Sequence, residues 1–61
     1  MDKLFLLTYT SVGNDGFRHE RNAWFSSEEE MKRFLKKAEE KGEFPEVDMA
    51  IEILGYRNID L

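Results

Sequence analysis

One amphipathic helix, with capping residues at both ends, limits the folds open to this chain of 61 residues. Ser26 and Ser27 each precede a glutamate by three residues, the spacing of a capping box that satisfies free backbone N–H groups. Gly42 supplies the left-handed residue that ends a helix, and Pro45 prevents the helix from resuming. Between these signals lies a single apolar stripe, formed by Met31, Phe34, Leu35 and Ala38.

The segments on either side of the helix have the patterns of β-strands. Residues 3–12 are rich in leucine, aromatic and β-branched side chains, and residues 17–25 return after a Gly–Asn–Asp–Gly turn. From Val47 to Ile53 apolar and polar residues alternate, which is typical of a strand with one buried face. For residues 55–61 two alternatives stay open: an extension of the edge strand, or a segment that wraps onto a neighbour.

This order of elements predicts an α+β fold of type ββαβ, with residues 1–61 as a single domain. A right-handed crossover through the helix makes the third strand parallel to the second. The simplest sheet then places the first strand between them, which gives a three-stranded antiparallel/mixed sheet in the order 2-1-3 with the helix packed on one face. A chain this short, without cysteine and therefore without disulfides, is expected to be marginally stable or stabilised by a partner.

The first strand has more apolar side chains than one helix can cover. Residues 4–7 are apolar at both parities of a strand, so both faces of the sheet receive apolar groups. Phe25 immediately precedes the helix cap, where apolar residues turn toward the first helical turn. We therefore assign to the helix side Phe25, Ala23, Leu4 and Leu6. The open side then carries Trp24, Phe5, Leu7 and Tyr9. The opposite parity is the alternative, with the aromatic set as the core and Leu4 and Leu6 uncovered.

An exposed patch that contains tryptophan, phenylalanine and tyrosine is typical of protein interfaces. The sequence therefore predicts a non-enzymatic interaction protein that docks on a protein partner, or self-associates as a homodimer, through Phe5, Leu7, Tyr9 and Trp24. A second alternative is that the C-terminal segment covers this face itself, with Tyr56, Ile59 and Leu61 as the cover.

The formal net charge of −4 comes from the C-terminal third of the chain, where residues 43–61 carry five acidic side chains and one basic one. Glu46, Asp48 and Glu52 share the parity opposite to the apolar residues of the third strand, so we expect an acidic stripe beside the aromatic patch. Charge on an edge strand discourages aggregation between sheets. A charged rim also steers an oppositely charged partner toward an apolar centre. The sequence allows both interpretations.

Few groups in the sequence are suited to catalysis. The one histidine, His19, lies beside Glu20, but neighbours on a strand point to opposite faces and cannot act as an oriented pair. No serine has the spacing of a catalytic triad, and the single histidine and scattered carboxylates match no metal-binding motif. We therefore expect no enzymatic activity, no cofactor and no bound metal.

Nucleic-acid binding is the competing hypothesis. Arg18, His19 and Arg21 lie on the predicted hairpin, which would enter a groove of DNA or RNA as part of a small transcriptional regulator. Three basic residues are a small electrostatic footprint on an acidic chain. The five basic residues of the helix are matched by five acidic ones, which is typical of a solvated face.

The apolar run of residues 4–7 is too short for a signal peptide or a membrane span, so we expect a cytoplasmic protein without membrane partners.

Two segments resemble those of small acidic accessory proteins encoded by bacteriophages: residues 5–9, Phe-Leu-Leu-Thr-Tyr, and residues 24–31, Trp-Phe-Ser-Ser-Glu-Glu-Glu-Met. Some proteins of that group bind and inhibit bacterial host or defence proteins. The resemblance implies a protein-binding inhibitor that acts in the host cytoplasm, and it assigns no role to any single residue.

Overall fold

The computed structural model describes residues 4–61 of the chain. Its elements are β1 (Phe5–Val12), β2 (Arg18–Phe25), α1 (Glu28–Glu40), β3 (Glu46–Glu52) and β4 (Arg57–Asn58). The strands form one sheet in the order β2-β1-β3-β4, and every neighbouring pair is antiparallel. The α+β class is confirmed, and the predicted order 2-1-3 recurs within a sheet of four strands instead of three. Lys3, where the first strand was predicted to begin, lies outside the described residues.

Local capping fixes both ends of α1. Ser27 is the N-cap, and its hydroxyl accepts a hydrogen bond from the backbone N–H of Glu30 at 3.2 Å. The Glu30 carboxylate accepts in turn from the backbone N–H of Ser26 at 2.9 Å. Gly42 follows the helix in the left-handed conformation, with φ of 80°. Because these signals are local in sequence, the predicted capping residues agree with the structure, which uses Ser27 of the two candidate serines.

The core lies between α1 and one face of the sheet. Leu7 of β1 and Met31 of α1 are fully buried, and Ala50 of β3 belongs to the same buried cluster. Partly buried side chains pack around this centre: Phe5, Tyr9, Phe25, Phe34 and Leu35. The Phe34 ring lies 5.6 Å from the Tyr9 ring and 5.4 Å from the Phe25 ring between centroids, both in tilted geometry that aromatic pairs favour.

The face predicted for the apolar residues of β1 is wrong. Phe5 pairs directly with Phe25, and Leu7 pairs with Ala23. Directly opposed residues of an antiparallel pair share a face, so Phe5, Leu7 and Tyr9 lie on the helix side together with Phe25 and Ala23. The placement of Phe25 and Ala23 was correct. The error arose because the pairing register between β1 and β2 depends on the turn that joins them, and the sequence pattern of each strand alone does not show it.

The C-terminal segment extends the sheet and completes the core. β4 pairs with β3, and the Ile59 N–H donates to the carbonyl of Ala50 at 2.8 Å. Ile59 is buried in the helix-side core, whereas Tyr56 is 80% exposed and Leu61 is also exposed. The segment therefore does not extend β3: after a turn it folds back and pairs antiparallel with β3 as a new edge strand, and it does not cover the other face of the sheet.

Truncation of Leu7 tests the helix-side placement of the odd-numbered residues in β1. We expect Leu7→Ala to lower the free energy of unfolding by about 2–5 kcal/mol, because it leaves a cavity beneath Met31. Urea denaturation followed by circular dichroism measures the change. Leu6→Ala is the matched control, since Leu6 lies on the opposite face and is only half-buried. A larger loss for Leu6→Ala than for Leu7→Ala would contradict the placement.

Candidate interaction surface

The sheet face opposite α1, called here the open face, carries a group of apolar side chains. Leu6 of β1 is flanked by Trp24 of β2 on one side and by Ile51 of β3 on the other. At one end the Ile53 N–H donates to the Leu4 carbonyl at 2.8 Å, which continues the pairing of β1 with β3. The open-face patch consists of Leu4, Leu6, Trp24, Met49, Ile51 and Ile53.

Exposure of the open-face patch is greatest at its two sides. Trp24 is 48% exposed and Met49 is 41% exposed, whereas the four leucine and isoleucine side chains are half-buried. The only helix in residues 4–61 packs on the opposite face and does not cover them. Large apolar side chains are thus held in fixed positions by strand pairing and remain open to water.

Of the predicted patch, only Trp24 lies on the open face. Leu4 and Leu6 were expected on this face only under the alternative of opposite parity, which left them uncovered by the helix. The other members of the open-face patch, Met49, Ile51 and Ile53, were interpreted as the buried face of the third strand. That interpretation was also wrong, because the residues of β3 that pair with helix-side residues of β1 include Ala50, which joins the buried core.

Two of the three predicted acidic side chains border the open-face patch. Asp48 is an extra residue in β3, because the pairing of β3 with β1 shifts register at this point and forms a β-bulge. Its carboxylate accepts a hydrogen bond from the Thr10 hydroxyl at 3.1 Å. Glu46 forms an exposed ion pair with Arg18 across β1. Glu46 therefore has a basic partner, whereas within residues 4–61 Asp48 takes part in no ion pair.

The third acidic residue, Glu52, does not lie on the open face, contrary to the prediction. It pairs directly with Phe5 and therefore faces the helix side. Its carboxylate accepts from Arg57 Nε at 2.9 Å, and Arg57 also lies 3.4 Å from the Glu28 carboxylate at the start of α1. Lys32 forms a second ion pair with Glu28 at 2.9 Å. Lys32 first, and then Arg57, lower the pKa of Glu28, and Glu52 and Glu28 raise the pKa of Arg57.

The three basic residues of the hairpin are not gathered on one surface. Arg18 lies on the open face, where it pairs with Glu46. His19 Nε2 lies 3.1 Å from the Asp15 carboxylate within the turn. Arg21 pairs with a helix-side residue of β1 and so points to the other face of the sheet. With two of the three beside carboxylates and the set divided between two faces, the arrangement offers no continuous basic surface to a phosphate backbone.

A groove of about 630 Å³ separates the hairpin from the C-terminal end of α1. Its walls are of mixed polarity and include Tyr9, Ser11, Arg21, Phe34, Phe44 and Pro45. No sequence motif indicated this groove. Its residues come from separate segments that meet only because the hairpin projects beyond the end of the helix.

Compared with protein-family models, with curated proteins and with solved structures, the chain gives no match. Within residues 4–61 no helix has the length and apolar character needed to cross a membrane. The same residues contain no group of three or more histidine, cysteine, aspartate or glutamate side chains arranged to hold a metal ion.

The ion pairs of Glu28 predict a pH dependence of stability. Because the pKa of Glu28 in the folded state is below its ordinary value of 4.5, its contribution is present above pH 4.5 and is lost as the pH falls through the folded-state pKa. We expect Glu28→Gln to destabilise the protein at neutral pH and the difference from the unmodified protein to shrink in acid. Urea denaturation at several pH values measures this. Glu29→Gln, which removes a charge from the same helical turn, is the control.

The divided hairpin predicts that the protein does not bind nucleic acid electrostatically. Fluorescence anisotropy with labelled DNA and RNA at low ionic strength is expected to show no binding that weakens as salt is added. Salt-dependent binding that is lost in Arg21→Ala but kept in Lys36→Ala would contradict this expectation and support the nucleic-acid hypothesis.

Proposed function

We propose that this protein is a non-enzymatic protein-binding module that uses the open face to dock on another protein. The observation that carries the proposal is the exposure of Trp24 and Met49 beside half-buried Leu6 and Ile51, on a sheet face that the helix does not cover. Contiguous exposed apolar patches mark interaction sites, and aromatic residues and methionine are enriched in the centres of interfaces.

The charges around the open-face patch favour a partner with basic residues. Asp48 borders the patch next to Met49, and Glu20 lies on the same face because it pairs with Thr10 of β1. The chain as a whole has a formal net charge of −4. Complementary charge accelerates encounter and fixes orientation, while the apolar centre supplies most of the binding free energy. The expected partner surface is an apolar patch or cleft with lysine or arginine at its border.

The resemblance to bacteriophage accessory proteins supports a bacterial partner. Both resembling segments, residues 5–9 and 24–31, belong to the part of the chain that builds β1, the end of β2 and the start of α1. On this basis we place the proposed partner among bacterial host or defence proteins of the cytoplasm, and the proposed action is inhibition by occupying the partner's surface.

Substitutions on the open face test the proposal. Affinity capture from a bacterial lysate, followed by titration of the captured protein, compares the unmodified chain with Trp24→Ala and Met49→Lys. We expect Trp24→Ala to weaken binding by about 30-fold or more, the effect of losing roughly 2 kcal/mol at an interface centre. Met49→Lys is expected to abolish capture, because it places a positive charge in the apolar patch and opposes a basic partner.

Phe44→Lys is the matched control for this experiment. Phe44 is 74% exposed but lies in the loop after α1, away from the open face. The proposal predicts that Phe44→Lys leaves capture unchanged. Capture that depends on Phe44 and not on Trp24 or Met49 would overturn the proposal. The proposal would also be overturned if Met49→Lys captured every protein that the unmodified chain captures. Circular dichroism of each variant verifies that the fold is kept.

A further inference from the structure

The outer edge of β2 is a second surface without a partner, independent of the open face. In the sheet order β2-β1-β3-β4, β2 pairs only with β1 among the described residues, and it is eight residues long. The opposite edge, β4, has two residues. Proteins commonly block an exposed edge with charged side chains, proline, a bulge or a very short strand. β2 contains no proline or lysine, its pairing with β1 has no register shift, and its charged side chains are of both signs.

The backbone groups that point outward from this edge can be identified from the hairpin. The Gly13 N–H donates to the Phe17 carbonyl at 2.9 Å, so these two residues form a hydrogen-bonded pair at the end of the ladder. Hydrogen-bonded pairs alternate along an antiparallel ladder, so the odd-numbered residues of β2 bond to β1. The residues that direct their N–H and C=O groups away from the sheet are Arg18, Glu20, Asn22 and Trp24.

We propose that the outer edge of β2 pairs antiparallel with the same edge of a second copy of this chain. A two-fold axis perpendicular to the sheet joins the two four-stranded sheets and keeps both helices on one side. Under this symmetry, outward-pointing residues of one copy meet outward-pointing residues of the other. The free N–H and C=O groups of both edges are then satisfied by the same interaction, which does not depend on partner binding at the open face.

The charges of β2, together with the overlap of the two strands, select the register of this pairing. A two-fold axis at Glu20 or at Arg21 would place each of these charged side chains opposite its own copy, and like charges in direct opposition destabilise a sheet. An axis at Asn22 places the two asparagines opposite each other, Glu20 opposite Trp24 of the second copy, and Arg21 opposite Ala23 of the second copy. No like charges face each other in this register, and three pairs of outward-pointing residues form hydrogen bonds. Other registers without like charges in opposition overlap less of β2 and form fewer such pairs.

This register also explains why a second copy fits the edge. The charged side chains of β2 have both signs, with Arg18 and Arg21 on either side of Glu20. Such a mixture leaves a self-complementary register without direct repulsion, in contrast to an edge of one sign. The pairing also brings the open faces of two copies side by side, with the two Trp24 side chains roughly 13 Å apart along the strand direction.

Two substitutions at Asn22 test the proposal. Asn22→Pro removes the outward N–H at the axis but no hydrogen bond to β1, a position where edge strands tolerate proline. Asn22→Asp keeps the backbone and places two carboxylates opposite each other. We expect light scattering after size-exclusion chromatography to give twice the 7.2 kDa chain mass for the unmodified protein and the chain mass for Asn22→Pro. Asn22→Asp should weaken the dimer at least tenfold, with partial recovery at high salt.

Asn22→Thr is the control, because it retains the N–H and suits a strand, and it is expected to remain a dimer. Met49→Lys separates this proposal from the one for the open face, since it changes the patch without touching the β2 edge. The edge pairing would be overturned if light scattering gave the mass of one chain for the unmodified protein at every concentration in a series. A dimer that is lost in Met49→Lys and kept in Asn22→Pro and Asn22→Asp would also overturn it, and would assign self-association to the open face.

Discussion

The central position of β1 is the constraint on which the rest of the structure depends. β1 pairs with β2 on one side and with β3 on the other, so its backbone is satisfied within the sheet and its side chains alternate between two faces. Both sets of side chains are apolar near its start. α1 covers the set centred on Leu7, and the set centred on Leu6 stays on the open face. A small core and an uncovered apolar surface are therefore two consequences of the same strand.

The C-terminal segment shows how so short a chain completes a core. Ile59 closes the side of the core next to Ala50, and Arg57 joins β3 to the first turn of α1 through two carboxylates. The negative charge of the C-terminal third is thus used in more than one way. Glu52 contributes to the internal ion-pair cluster, Glu46 is matched by Arg18, and Asp48 is left beside the open-face patch. A sequence count of charges does not reveal this division.

The two proposed surfaces follow from different physical causes. The open face offers uncovered apolar side chains, and its role in binding rests on the hydrophobic effect and on the acidic border. The β2 edge offers unpaired backbone groups, and its role in pairing rests on hydrogen bonds and on the register that its charges permit. Trp24 belongs to both, since it lies on the edge strand with its side chain on the open face. Edge pairing would therefore enlarge the surface available to a partner.

The sequence by itself determined the elements whose signals are local. The caps at Ser27 and Gly42 and the apolar stripe between them specify α1, and the short chain with one crossover specifies the order of the first three strands. The sequence also showed that the first strand has more apolar side chains than one helix can cover. Which residues remain uncovered was decided only by tertiary structure, because a strand's two faces are equivalent until its register against a neighbour is fixed. The pairing of Phe5 with Phe25, the bulge at Asp48 and the docking of Ile59 all join segments that are distant in sequence, and no local pattern encodes them.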